Sequence, residues 1–310
     1  YYIKNTRNLL NNVPLPASMG YSYTILNVGK IQNKGLELFA EGNIIQRGDF
    51  TWSASANISF NRNKVIKLYQ GANVPGKALT VGTINDFVNI LSEGHPLGAF
   101  YGYRENGYDP NGKIQYIDSA GNNTIAPTSK DKVFIGDPNP SFIYGFNSSL
   151  AWKGLQLTLF MQGSQGNDIF NVDANTQDLD YGFGLNVTQD VFSSHWKSTN
   201  TAAENAAAKY PKISKTTVAN VSNRFVENGS YVRLKNIELA YSLPLQKWRI
   251  NSLKLFQVYA SAQNLLTFTG YSWFDPEVNY YGGANSIMQG INQNAYPTAK
   301  SVTFGVRVSF

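Results

Sequence analysis

The last ten residues, SVTFGVRVSF (301–310), carry the pattern that decides the fold. Apolar side chains occupy every even position, and Ser, Thr, Gly and Arg occupy the odd positions. Because side chains of a β-strand alternate between the two faces of its sheet, this segment predicts a strand with one wholly apolar face. The last apolar side chain, Phe310, is also the last residue of the sequence. Such a face needs either a second protein layer or an apolar medium against it.

The same alternation recurs in DFTWSASANISFNR (49–62), where the apolar residues run without a break from Phe50 to Phe60. A strand of about ten residues is long enough to cross a bilayer obliquely. The preceding segment places four apolar residues on one expected face: Leu36, Leu38, Ala40 and Ile44. The connection QRGD (46–49) predicts a tight turn with Gly at the permissive position. We therefore expect a hairpin of two membrane-length strands.

Eight strands of this kind are predicted along the chain. They lie at about 1–10, 34–45, 50–63, 140–152, 155–165, 230–243, 253–266 and 300–310. In one of them the apolar side chains change from even to odd positions near Lys235 and Asn236. Either a β-bulge or a strand end that leaves the membrane would produce that change.

The connections between these strands alternate between short and long. The short ones are 46–49, 153–154 and 245–251, and the long ones are about 11–33, 64–140, 165–229 and 267–299. Tight periplasmic turns and long outer loops are typical of a transmembrane antiparallel β-barrel. Aromatic residues near the strand ends fit an interfacial girdle: Tyr1, Tyr2, Phe50, Trp52, Trp152, Tyr241 and Trp248. The strand-like segment GAFYGYRENGYD (98–109) is expected in an outer loop, paired with a neighbour.

The composition supports an all-β membrane protein. Charged residues make up 15% of the chain, against about 25% in average soluble domains. The absence of cysteine and the presence of only two histidines exclude a disulfide framework, a thiolate metal site and a His-rich metal centre. No apolar run is long enough for a membrane-spanning helix, and the first residues lack a signal-peptide pattern. The net charge of +6 is dispersed, so no nucleic-acid partner is expected.

Three short motifs are interpreted as structural. In the predicted topology the tripeptide RGD (47–49) faces the periplasm, which favours a turn over an adhesion ligand. The segment DPNGKIQYIDSA (109–120) begins like a calcium loop, but Ala120 stands where a coordinating Glu belongs. His195 and Trp196 follow a segment that predicts a short helix, and a packing role is favoured for them. No nucleophile, base and orienting acid assemble from the sequence, so we predict neither an enzyme nor a cofactor.

Eight stretches together resemble one family, in that family's order along nearly the whole chain. They are VPLPASMGYSYTILNVGKIQNKGLEL (13–38), FTWSASANISFNRNKV (50–65), GHPLGAFYGYRENG (94–107), FIGDPNPSFIYGF (134–146), QGSQGN (162–167), NGSYVRLKNIELAYSLP (228–244), SAQNLLTFTGYSWFDPEV (261–278) and YPTAKSVTFGVRVSF (296–310). The chain resembles the SusC/RagA-type TonB-dependent transporters of the Bacteroidota outer membrane, in the C-terminal part of their barrel.

This resemblance implies active import across the outer membrane, energised by the TonB complex. It also implies a SusD-type surface lipoprotein as partner and an oligosaccharide or a peptide as substrate. The plug domain and the earlier strands of a barrel of roughly 22 strands are absent from the sequence. Residues 1–310 are therefore expected to be the C-terminal segment of the barrel, in contact with membrane lipid and with the remaining barrel and plug. TonB would act through the absent N-terminal regions.

Substrate contacts are expected from the outer loops or from lumen-facing residues. The loop YSWFDPEVNYYGGANSIMQGINQNAYP (271–297) carries Tyr280 and Tyr281, which are the preferred candidates, and Trp273, which with Phe274 is more readily explained as bracing the loop. The closing Phe310 resembles the signal that barrel-assembly machinery recognises. Two alternatives stay open: an independent outer-membrane barrel acting as an adhesin or structural protein, and a soluble β-rich glycan-binding protein.

Overall fold

The computed structural model describes residues 1–14, 23–179, 181–184, 186–250, 252–278, 280 and 287–310. Eight of its strands form one antiparallel sheet in which every strand pairs with its neighbours along the chain. They are β1 (Tyr2–Pro14), β2 (Tyr23–Arg47), β3 (Phe50–Leu68), β4 (Phe142–Trp152), β5 (Leu155–Gln165), β6 (Tyr231–Ser242), β7 (Leu255–Thr269) and β8 (Ser301–Ser309). The all-β fold and the number of predicted strands are confirmed.

The first three strands are longer than the sequence predicted. β2 begins at Tyr23 and β3 ends at Leu68, so the boundaries placed at 34 and 63 were wrong. The paired extension runs from Gly29 opposite Leu68 to Lys34 opposite Arg62. Most of its residues are polar, and three of its few apolar side chains, Ile31, Val65 and Leu68, pack with Leu91 of a long loop, so the extension lacks the regular apolar alternation that would mark it as strand. The strands β2 and β3 therefore continue beyond the residues of the apolar face, toward the long loops.

The apolar face is continuous from β2 to β8. Residues directly opposite one another in an antiparallel pair point to the same face. Ala56 lies opposite Ala40 on one side and Phe146 on the other. The same face continues at the far edge, where Ala260 lies opposite Leu239 and Phe304. Many of its side chains are exposed: Leu36, Leu38, Leu239, Val258, Leu266, Phe268, Val302, Phe304, Val306 and Val308.

Two register shifts modify this face. In β2 an extra residue, Ile44, lies between the pairs Asn43–Ser53 and Ile45–Trp52, so Ile45 rather than Ile44 stands opposite Trp52. This bulge shifts the phase of the alternation by one residue, so that beyond it Ile45 stands on the face of Trp52. In β6 the shift lies between Leu234 and Asn236, relative to both β5 and β7. Of the two explanations for that phase change, the bulge is the one observed.

Short turns and long loops lie at opposite ends of the sheet. Gly48 and Asp49 join β2 to β3, Lys153 and Gly154 join β4 to β5, and residues 243–254 join β6 to β7. Both residues of the second turn have positive φ, 45° and 87°, which suits the tight hairpin. The long connections are 69–141, 166–230 and 270–300. No helix of the described residues is long and apolar enough to cross a membrane.

The long loops fold together into an outer layer with its own core. Its short strands are Val74–Pro75, Ala78–Val81, Ile84–Phe87, Ile90–Leu91, Phe100–Gly102, Glu105–Tyr108, Ile114–Ile117, Asn123–Thr124, Val133–Gly136, Asp168–Asn171, Val226–Asn228 and Ile291–Asn292. Its helices are α1 (Val172–Asp178), α2 (Gln189–Ser194) and α3 (Ala202–Ala206), with 3₁₀ turns at Tyr69–Gly71, Ser129–Asp131, Tyr181–Phe183 and Asn223–Phe225. Buried residues from all three loops, among them Phe100, Phe170, Phe225 and Ile291, form one cluster.

The segment 98–109 lies in this outer layer, as the sequence predicted. Phe100–Gly102 pairs with Val133–Gly136, and Glu105–Tyr108 pairs with Ile114–Ile117. Arg224 forms a largely buried ion pair with Glu105 and donates a hydrogen bond to the Tyr108 hydroxyl at 2.7 Å. This contact ties the first long loop to the second.

The calcium-like segment 109–120 begins with a turn and continues into the strand Ile114–Ile117. One carboxylate oxygen of Asp109 accepts hydrogen bonds from the backbone N–H groups of Asn111, at 2.9 Å, and Lys113, at 2.7 Å. Gly112 has a φ of +80°, and an added Cβ would lie 2.7 Å from the Trp196 ring. Trp196 is buried against this turn, and the helix that precedes it ends at Ser194. Among the described residues no cluster of three or more His, Asp or Glu side chains could hold a metal ion.

Candidate ligand-contact site in the outer loops

A cleft of about 880 Å³ opens between elements of all three long loops. We call it the outer cleft. Its lining residues are Thr80, Val81, Gly82, Asp173, Thr176, Gln177, Trp273, Phe274, Asn294, Ala295, Tyr296 and Pro297. One wall is the hairpin of Ala78–Val81 and Ile84–Phe87, whose turn contains Gly82. The second wall is α1, and the third comes from the loop between β7 and β8.

The hairpin is fastened to α1 by one buried amide. Asn175 accepts a hydrogen bond from the Thr83 backbone N–H at 2.9 Å and donates one to the Thr83 hydroxyl at 2.9 Å. The neighbouring Gly82 has a φ of +56°, and an added Cβ would lie 2.3 Å from the Asn175 oxygen. Only glycine allows the hairpin to approach α1 this closely. The Asn171 side chain caps α1 by accepting a hydrogen bond from the Ala174 N–H at 3.3 Å.

The third wall is fastened to α1 by a buried carboxylate. Asp173 accepts hydrogen bonds from the Asn294 backbone N–H, at 2.9 and 3.0 Å, and from the Asn292 side-chain amide, at 3.1 Å. It also forms a hydrogen bond with the Trp273 side chain. Burial raises the pKa of the Asp173 carboxyl above its ordinary value, although these hydrogen bonds oppose the rise. Asp173 therefore positions the aromatic wall, and its oxygens are occupied by the protein itself.

Aromatic rings line the open side of the outer cleft. Trp273 and Phe274 pack edge to face with ring centroids 5.3 Å apart. The exposed fractions of Phe274 and Tyr296 are 69% and 92%. Exposed rings beside amide and hydroxyl groups, here Gln177 and Thr176, can stack on a flat apolar surface and hydrogen-bond around it. This arrangement suits reversible binding of a ligand that is partly apolar and rich in polar groups.

The outer cleft includes one of the three predicted contact residues. Trp273 lies in its wall. Tyr280 is 53% exposed and lies elsewhere, with its backbone N–H donating to the Ile291 carbonyl at 3.0 Å. Tyr281 lies outside the described residues. Sequence reasoning missed Asp173, Gln177 and Tyr296, which come from distant parts of the chain and show no local pattern.

The aromatic wall is anchored to the sheet immediately after Phe274. Arg233, on the polar face of β6, is only 2% exposed and pairs with Asp275 at 2.5 Å and with Glu277 at 2.6 Å. Lys235 pairs with Glu277 at 2.7 Å. Burial opposes the ionisation of Asp275, but hydrogen bonds from Arg233 and Thr298 lower its pKa to about 2. The Asp275 carboxylate is therefore charged at neutral pH.

A second cavity, of about 840 Å³, lies against the polar face of the sheet. Pro276, Glu277 and Val278 line one side of it. Side chains of β2 to β6 line the other, including Glu37, Phe39, Asn57, Ile143, Phe160 and Gln162. We call it the inner cavity. The segment 273–278 therefore borders the outer cleft at its start and the inner cavity at its end.

These features define a class of protein. One face of the sheet is apolar and no other layer of the described chain covers it, whereas the polar face carries ion pairs and packed loop residues. Tight turns lie at one end and a folded outer layer lies at the other. This is the architecture of a transmembrane antiparallel β-barrel wall.

Comparison with known proteins agrees with this class, although no family model matches the chain. TonB-dependent receptor P3 of Formosa agariphila is 35% identical over 336 aligned residues, which cover the whole chain and 32% of that receptor. TonB-dependent receptor SusC of Bacteroides thetaiotaomicron is 29% identical over 324 aligned residues, covering the whole chain and 29% of SusC.

A solved structure gives the same result. The RagAB peptide transporter superposes with a TM-score of 0.81 at 27% identity, over 99% of this chain and 32% of that one. The chain is thus similar throughout its length to TonB-dependent receptors of the SusC and RagA type, and it spans about one third of theirs. Its relatives are named as receptors and transporters, in agreement with the prediction that it is not an enzyme.

Proposed function

We propose that residues 1–310 form eight wall strands and the outer loops of an importer in the bacterial outer membrane. The observation that carries this proposal is the apolar face, which crosses β2 to β8 and exposes side chains such as Phe304 at 78% and Val302 at 62%. In water this large apolar area would stay exposed to solvent, whereas in a bilayer lipid chains would cover it. Similarity to TonB-dependent receptors supports the same location.

We further propose that the sheet continues into a closed barrel. Among the described residues β8 pairs only with β7, and residues 36–47 of β2 pair only with β3. An unpaired strand edge is costly in hydrocarbon, because each unsatisfied backbone group costs several kcal/mol there. Earlier strands of the same protein would pair with both edges, in a barrel of roughly 22 strands around a plug domain.

Within such an importer the outer cleft would contact the transported ligand. Its exposed aromatic rings and amides suit an oligosaccharide or a peptide, the two substrate classes that the family resemblance suggests. Tyr280 and Tyr281 follow in the same loop and remain candidates for contact. A SusD-type surface lipoprotein would cover the outer loops, and the TonB complex would supply the energy for import.

The test uses the full-length protein and two probes, a size-fractionated oligosaccharide mixture and a tryptic peptide mixture. Replacing both Phe274 and Tyr296 with Ala should weaken binding of the retained fraction about thirtyfold, since each ring contributes on the order of 1 kcal/mol by stacking. Phe192→Ala is the matched control, because Phe192 is 60% exposed in the outer layer but lies outside the cleft. Cell-surface abundance and heat-modified gel mobility should not change.

Two results would contradict this proposal. If the double variant bound both mixtures as the unchanged protein does, the outer cleft would not contact the ligand. If the full-length protein stayed in solution after detergent removal, the proposed membrane location would be contradicted. A soluble glycan-binding protein would then be favoured.

A further inference from the structure

The three short turns carry an excess of positive charge. Together with Arg47, the last residue of β2, they contain five Lys and Arg residues and a single acidic residue, Asp49. The five are Arg47, Lys153, Lys247, Arg249 and Lys254, which we call the basic rim. All five are exposed, and none forms an ion pair with another described residue.

Two of these cations lie on the apolar side of the sheet. Arg47 stands opposite Phe50, so both side chains point to the face that holds Trp52 and Ala56. The Lys153 ammonium lies 5.5 Å from the ring centroid of Trp152, which stands opposite Phe50 on the same face. These charges therefore lie just beyond the apolar band, where the headgroups of a bilayer would be.

The other three cations belong to the longest of the short turns. Residues 247–250 alternate basic and apolar side chains, and Trp248 and Ile250 are 54% and 36% exposed. The backbone N–H of Trp248 donates to the carbonyls of Pro244 and Leu245, which fixes this turn in a compact form. An exposed Trp between two cations is the composition of a segment that rests at a membrane surface.

The long loops have the opposite charge balance. The loops 69–141, 166–230 and 270–300 contain eleven Lys and Arg residues against sixteen Asp and Glu residues. The excess of cations in the short turns is therefore not shared by the other connections of the chain. A ring of unpaired cations beside aromatic anchors is complementary to anionic headgroups.

We propose that the basic rim binds the phosphate groups of anionic phospholipids in the leaflet that surrounds the turn end. This inference rests on the proposed membrane location. Its direct consequence is selective retention of anionic lipid around the turns, because each exposed cation near a membrane surface increases the affinity for anionic lipid about fivefold.

The experiment measures lipid retention by the full-length protein in an uncharged detergent. Delipidated protein receives equal amounts of phosphatidylglycerol and phosphatidylcholine, and native mass spectrometry counts the bound molecules of each. In the rim variant all five cations become Gln, and in a milder variant only Arg47→Gln and Lys153→Gln are made. The control replaces five exposed lysines of the long loops, Lys77, Lys113, Lys130, Lys215 and Lys300, with Gln.

We expect the unchanged protein and the control to retain phosphatidylglycerol preferentially. In the rim variant the preference for phosphatidylglycerol over phosphatidylcholine should fall at least about tenfold, and in the milder variant it should fall less. The heat-modified gel mobility of both variants should not change. High salt should weaken the preference of the unchanged protein. Equal retention by the rim variant and the control, or no preference in the unchanged protein, would overturn the proposal. Loss of membrane insertion would instead appear as protein that remains soluble without detergent.

Discussion

The residue on which the candidate site depends most is Arg233, because it is almost wholly buried and pairs with two carboxylates. Arg233→Met would leave Asp275 and Glu277 without their main partner, at a cost of about 3–5 kcal/mol for a buried pair. The segment 273–278 should then detach from the sheet. Amide hydrogen exchange of residues 270–278 would report this as faster exchange in the variant.

Arg307 provides the control for this substitution. It pairs with Glu238 at 2.8 Å on the same face of the sheet, but its side chain is 46% exposed. Arg307→Met should cost less than about 1 kcal/mol, as is usual for exposed pairs. Unchanged exchange in Arg233→Met would show that the hydrophobic contacts of the loop, and not the ion pairs, hold the segment in place.

The same contact predicts a pH dependence. The pKa of Asp275 in the folded protein is about 2, below its ordinary value of 3.8, because Arg233 and Thr298 stabilise the charged form. The resulting stability is fully present above about pH 4 and is lost as the pH falls toward 2, a change of about 2 kcal/mol.

Pepsin, which is active throughout that range, provides the measurement. Cleavage within residues 270–300 should increase between pH 4 and pH 2 relative to a reference site elsewhere in the chain. Asp275→Asn should already be susceptible at pH 4 and respond little to further acidification. A wild-type protein with no such increase would contradict the assignment of the low pKa.

The sequence identified only part of the site at this scale. Trp273 could be named because an aromatic residue in a long outer loop is a reasonable contact candidate. Asp173 could not, since its role depends on Asn292 and Asn294, which reach it from about 120 residues further along the chain. The partnership of Arg233 with Asp275 was hidden for the same reason.

At the scale of single strands, the two faces of β3 can be distinguished chemically. Ala54 lies on the apolar face opposite Gly42 and Ser148, and Ser55 lies on the polar face opposite Glu41 and Asn147. The chain has no cysteine, so Ala54→Cys and Ser55→Cys introduce unique labels. We expect a membrane-soluble thiol reagent to label position 54, and a water-soluble reagent to label position 55. Equal labelling of both positions by either reagent would rule out a bilayer against the apolar face.

Strands were predictable where one face meets an apolar medium, and less so elsewhere. The alternation of Phe50 to Phe60 and of Val302 to Val308 fixed the location and orientation of β3 and β8. The upper parts of β2 and β3 were missed because most of their side chains are polar, and the apolar ones, such as Val65 and Leu68, pack against loop residues instead of forming a regular alternation. A bulge such as that at Ile44 depends on the register of the partner strand, which a single segment does not contain.

At the scale of the whole molecule, Phe310 tests how the sheet is assembled. Its ring is 78% exposed, so its removal eliminates little packing within the chain. If the closing aromatic residue is an assembly signal, deletion of Phe310 should lower the amount of folded protein in the membrane several-fold, as measured by heat-modified gel mobility. Phe304→Ala is the matched control, because Phe304 is also 78% exposed and lies in β8, which ends one residue before Phe310. Equal amounts of the two variants would contradict a signalling role.

The architecture of the outer layer could not be predicted as a whole. The sequence indicated long loops but gave no sign that Phe100, Phe170 and Phe225, from two different loops, share one buried cluster. Such a cluster depends on contacts between distant segments, whereas strand patterns repeat within a few residues. The wall was therefore accessible to sequence reasoning, and the layer that holds the outer cleft was not.

The pairing of every strand with its neighbour in the chain has a consequence for evolution of the loops. The entropy of closing a connection rises only with the logarithm of its length, so residues 69–141 cost only about 2 kcal/mol more to close than residues 243–254. The core of the outer layer can offset that difference by its own burial. Insertions and deletions in the loops therefore leave the register of the wall almost unaffected. A lineage can change its ligand by lengthening or replacing loops while it inherits the same eight strands.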